Sequence, residues 1–117
     1  LAAATMVTVP TYSLVGEPGS CNSNGNFRPV LQQQGSAIAF AVNGAQHFDF
    51  EAEMCGGFDL ACSFCAPVGG PGNAAIRGLV TAAAVWRSGV DEGGSTWWLE
   101  GGPFLQALLD AQTVTPL

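Results

Sequence analysis

Charge is what this sequence has least of. Only 10% of its 117 residues are Asp, Glu, Lys or Arg, against about 25% in an ordinary soluble domain. Lysine is absent: the basic residues are Arg28, Arg77 and Arg87, set against nine carboxylates for a formal net charge of −6. Nucleic-acid binding relies on basic groups that displace phosphate counterions, and three scattered arginines supply little of that. Anionic membrane surfaces are disfavoured on the same ground. No apolar run approaches the roughly 18 residues of a bilayer-spanning helix, so no membrane span is expected. Histidine occurs once, at His47, and no serine sits in a nucleophile-elbow pattern beside which it would act. Gly69-Gly70-Pro71-Gly72 lacks the spacing and the lysine of a phosphate loop. Asp91-Glu92-Gly93-Gly94 lacks the calcium-loop pattern. No cofactor and no catalytic residue is therefore expected.

What is present is small and apolar. Hydrophobic residues make up 48% of the chain, and glycine alone fills 16 positions. Twelve charged side chains cannot cover the surface of a domain this size. Uncharged polar groups, small residues or another protein must cover the rest, which points to protein subunits as partners. The length is room for one domain, residues 1–117, with an extended N-terminal arm over 1–20. Leu1-Ala2-Ala3-Ala4 resembles the small-residue tail of an export-signal cleavage site.

Cysteine is even in number: Cys21, Cys55, Cys62 and Cys65. In a small exported chain this pattern reads as two disulfides with three pairings open. The expected setting is an oxidising extracytoplasmic compartment: secreted, periplasmic, an organellar lumen or a virion surface. Cys62-Ser63-Phe64-Cys65 has redox-motif spacing, but Pro67 and the glycines after it oppose the helix that would lower a thiol's pKa. Zinc held by Cys55, Cys62 and Cys65 with Cys21 or His47 would have one knuckle where structural sites usually have two.

Along the chain, Ser36–Val42 and Ala45–Met54 alternate about Asn43-Gly44, the signature of a β-hairpin over 36–54. Ile38, Phe40 and Val42 share one face of the first arm. Asp49, Glu51 and Glu53 share the solvated face of the second. Their spacing is comparable to the carboxylate separations of sugar-cleaving enzymes, about 5–9.5 Å, and Asp49–Glu53 resembles the acidic strands of glycoside hydrolases. The alternation alone is explained by a half-buried strand. Asn73 stands at an N-cap position, and Ile76, Leu79, Val80, Ala83 and Trp86 form a helical stripe over 74–87 ended by Gly89. Thr96–Leu99 reads as a short strand over 95–99, and Pro103 opens a helix to 111. These elements suggest an α+β fold with an antiparallel, β-rich N-terminal half.

On a strand, Trp97 and Trp98 would point to opposite faces, so one of them is a candidate contact with a partner. Phe104 and Leu105 begin two apolar flanks of the last helix. The sequence reading is thus a non-catalytic accessory or structural subunit docking through Trp97, Trp98, Phe104 and Leu105. The alternative is a small secreted carbohydrate-binding or carbohydrate-active domain using Trp97 or Trp98 with Glu51 and Glu53.

Overall fold

The computed structural model describes residues 4–19, 25, 27–50 and 71–117. In chain order these contain strand β1 (Thr11–Val15), helix α1 (Arg28–Gln33), strand β2 (Ala37–Val42), helix α2 (Pro71–Arg87), helix α3 (Pro103–Asp110) and strand β3 (Val114–Pro116). Short 3-10 segments lie at Ala4–Met6, His47–Phe50 and Glu92–Trp97. The class is α+β. No helix among the described residues is long and apolar enough to cross a membrane.

The sheet is mixed, in the order β1-β2-β3. β1 runs parallel to β2, with Thr11 opposite Ala37 and Val15 opposite Ala41. β3 runs antiparallel to β2, with Val114 opposite Val42 and Pro116 opposite Phe40. Ala37–Val42 is a strand as expected, but its burial does not alternate. Phe40 and Val42 enter the main core with Ile76, Leu79 and Ala82 of α2, together with Trp98, Leu105 and Val114. Leu79 and Val42 are fully enclosed, and each such side chain stabilises the fold by about 1.5–3 kcal/mol through burial. Ala39 and Ala41, on the opposite face of β2, are buried as well.

Proline stands at the first or second position of α1 and α3. There its missing N–H would have had no helical partner and its φ is already helical. α2 is already helical at Pro71, three residues before the expected Ala74. Asn73, instead of capping, donates from Nδ2 to the Asp49 carbonyl at 3.3 Å. The C-terminal end is as expected. Gly89 adopts φ +74°, and the Gly89 and Val90 N–H groups bond to the Trp86 and Val85 carbonyls at 3.0 and 2.9 Å. That is the Schellman pattern of helix termination.

Three local expectations are corrected. The hairpin over 36–54 does not form over its described part, residues 36–50. Asn43-Gly44 does turn the chain, with the Ala45 N–H bonding to the Val42 carbonyl at 3.2 Å. Gly44 has φ +76°, but Asn43 is not among the positive-φ residues, whereas a type I′ hairpin turn needs positive φ at both. Both edges of β2 are already taken, by β1 and β3, and the chain passes into the 3-10 segment His47–Phe50. The N-terminal half is therefore only partly β, and its strand pair is parallel. Asp49 is accordingly not on a solvated strand face. It is 3% exposed, and its carboxylate accepts the Gln46 N–H at 2.7 Å. Finally, the expected strand over 95–99 falls mostly within the 3-10 segment Glu92–Trp97. Its local bonds explain the difference. Asp91 Oδ1 accepts the Gly93 N–H at 2.8 Å, and the Ser95 and Thr96 hydroxyls donate to the Glu92 and Gly93 carbonyls, each at 2.7 Å. Short polar side chains of this kind offer the backbone an alternative to a ladder.

Candidate functional site

Two regions bring together residues that could act on something else. The first is the carboxyl end of the parallel pair. Parallel strands joined by a helix present their C-terminal ends, and the loops leaving them, to a common side, which is where open α/β sheets bind ligands. Glu17 follows β1 and donates its N–H to the Ala45 carbonyl, just beyond β2, at 2.8 Å. Its Oε1 lies 3.4 Å from the Gly44 N–H. His47, the chain's single histidine, begins the 3-10 segment two residues after Ala45. The backbone thus places a carboxylate-bearing residue beside the segment that carries the imidazole. Arg28 completes this end from the start of α1. Its Nη2 donates to the Gly16 carbonyl at 2.8 Å and lies 3.9 Å from Glu17 Oε2. Both partners are part-exposed, so the ion pair is worth at most about 1 kcal/mol. Its main effect is to tie α1 to the end of β1.

The second region is the tryptophan pair. Trp98 is a core residue, 2% exposed, and its indole N–H donates to the Leu79 carbonyl at 2.8 Å. Leu105 is 5% exposed and sits in the same core. Both belong to the domain's own core, whereas Trp97 and Phe104, the other two expected contact residues, keep exposed surface. The reason is the local conformation. In the expected strand the two rings would have pointed to opposite faces. Here Trp97 ends the 3-10 segment and Trp98 caps it, so the second ring turns under α2 and the first remains outside.

Trp97 is half-buried, and Phe104 is 51% exposed. Their rings stack at 4.7 Å with an 8° interplanar angle. The inner edge of the Trp97 indole fills the space above Gly78, where a Cβ would stand 2.6 Å from Cζ3. A cavity of about 470 Å³ lies beside this stack, with Arg77 and Asp91 on its wall. A larger groove of about 580 Å³ runs along β2, lined by Phe40, Trp98 and Leu105, with Glu100 as its one charged side chain among the described residues. Among the described residues, neither brings together a carboxylate pair of the kind sugar hydrolysis requires.

The remaining candidates lie outside the described residues. These are Cys21, Cys55, Cys62 and Cys65, and also Glu51 and Glu53. Among the described residues, no group of three His, Cys, Asp or Glu side chains could hold a metal ion. The neighbourhood of Glu17 and Ala45 was missed from sequence. It depends on the parallel pairing of β1 with β2 across more than twenty residues, which no local periodicity announces. The nearest signal was a turn-forming Gly-Glu-Pro-Gly directly after the first apolar run. Compared with family models, with curated proteins and with solved structures, the chain matches none of them.

Proposed function

We propose that this chain is a non-catalytic accessory or structural subunit that docks by an apolar surface into a larger protein assembly of an oxidising, extracytoplasmic compartment. The observation that carries the reading is the Trp97–Phe104 stack. It is an aromatic pair at the surface, held in one geometry by Gly78 beneath it, on a chain with few charges to solvate its outside. A preformed aromatic platform loses little side-chain entropy on binding, and such residues are the usual anchors of interfaces. The compartment rests on the four cysteines alone.

The test is native mass of the protein recovered from its producing cells without denaturant. A complex heavier than one chain is expected. Phe104→Ala should weaken it by about 2 kcal/mol, as at a hot spot, while leaving unfolding within about 1 kcal/mol of wild type. A single-chain mass at every concentration, unchanged by Phe104→Ala, would overturn the reading.

A further inference from the structure

Among the described residues β1 is an edge strand of the sheet and pairs with β2 on one side only. The Thr11 N–H donates to the Ser36 carbonyl at 3.2 Å, so residue 11 directs its backbone groups towards β2. Successive residues of a strand direct them to opposite sides. Tyr12 and Leu14 therefore aim two N–H and two C=O groups away from the sheet, and none of the four has a partner among the described residues. None of the five residues of β1 is fully exposed, so both faces of the strand are partly covered while its edge is open among the described residues. Such an edge is a template for another extended backbone.

The charge beside the edge narrows the occupant further. The Arg87 guanidinium carbon lies 5.8 Å from the centroid of the Tyr12 ring and 5.3 Å from that of Trp86. Arg87 is exposed and forms no ion pair among the described residues. In a chain of net charge −6, this cation at the end of α2 is complementary to an acidic side chain. A strand laid against β1 would bring a residue on its helix-facing side next to Tyr12, within reach of Arg87.

We infer that β1 accepts an extended segment of a partner protein, paired by backbone hydrogen bonds to Tyr12 and Leu14 and carrying a carboxylate opposite Arg87. The inference rests on the docking reading but uses a different surface from the Trp97–Phe104 stack, so each fails independently.

The test uses the full chain and two blocked pentapeptides, acetyl-Thr-Val-Glu-Val-Thr-amide and its Glu-to-Lys counterpart, followed by amide NMR. In the protein alone the Tyr12 and Leu14 amides should exchange readily. On titration with the glutamate peptide both should shift and become protected, and the lysine peptide should bind roughly two- to fivefold more weakly, the scale of an exposed ion pair. Arg87→Gln should remove that difference. Leu14→Pro deletes one outward N–H at a position where an edge strand tolerates proline, and it should abolish binding. Leu14→Ala loses the same packing but keeps the N–H, and it should still bind. Equal binding by the proline and alanine variants would overturn the inference, as would no response to either peptide. Protection of both amides in dilute protein alone would show that the chain covers its own edge. Protection that appears only as protein concentration rises would assign the edge to a second copy. Both results would overturn the partner assignment. Loss of the heavier native complex in Phe104→Ala without change in peptide binding would separate the two surfaces.

Discussion

Truncating Trp98 to alanine should cost about 3–5 kcal/mol of stability, the range for deleting a large buried aromatic side chain. That is a large share of the roughly 5–15 kcal/mol by which domains of this kind are stable. The indole is 2% exposed and joins three elements at once. Its ring meets Tyr12 of β1 edge-on at 5.3 Å and Phe40 of β2 at 5.7 Å. Its N–H bonds to the Leu79 carbonyl of α2 at 2.8 Å. Aromatic pairs of this geometry add about 0.5–1.5 kcal/mol each beyond area burial, so the loss should fall in the upper part of the range.

Trp98→Phe separates the contributions. It keeps most of the ring packing and removes the N–H, and should cost about 1–2 kcal/mol. Urea unfolding of the three proteins measures both. Trp97→Ala is the control for the inside-outside assignment, since a half-buried ring stacked on an exposed Phe104 should matter much less for folding. If Trp97→Ala proved as damaging as Trp98→Ala, the division between core and docking residue would be wrong.

That division shows what the sequence could and could not carry. The α2 stripe was legible because a 3.6-residue period survives whatever packs against it: Ile76 and Leu79 are buried and Val80, on the margin, is 56% exposed. Proline at the first turn and Gly89 at the end bounded the helices for local steric reasons. β2 was legible by alternation, but its partners were not. β1 lies more than twenty residues away, and β3 is a Val-Thr-Pro tripeptide some seventy residues on. Such pairings are decided by tertiary contact. Asn43-Gly44 misled because one sequence serves several turn types, and the type follows from where the next segment can go. For Trp97-Trp98 the useful signal was upstream, in Asp91, Ser95 and Thr96, whose side chains close the 3-10 turns. With that conformation the choice of buried ring follows. With a strand it does not.

Gly94→Ala should be of comparable severity, about 3 kcal/mol or more, although it adds a single methyl group. Gly94 is buried in the 3-10 segment Glu92–Trp97, where that segment crosses α2. A Cβ there would overlap the Ala82 carbonyl oxygen and stand 2.9 Å from the Trp86 Cβ. Both obstacles belong to the rigid part of a helix. The Ala82 carbonyl cannot rotate away without weakening its own helical bond, and a Cβ has no rotamer to change. The 3-10 segment would have to lift off α2. Overpacking a well-filled core ordinarily costs about 1–3 kcal/mol. Here the displaced segment leads directly into Trp97 and Trp98, so the lift also lengthens the Trp98–Leu79 hydrogen bond and loosens the Trp97 ring from Gly78. Thermal or urea unfolding of Gly94→Ala measures the sum, and indole fluorescence reports whether the rings have moved. Gly35→Ala is the matched control, with nothing within 4 Å of its added Cβ, and should change stability by less than about 1 kcal/mol. If Gly94→Ala unfolded at the same point as Gly35→Ala, the close crossing of the 3-10 segment over α2 would be wrong, and with it the placement of both tryptophans.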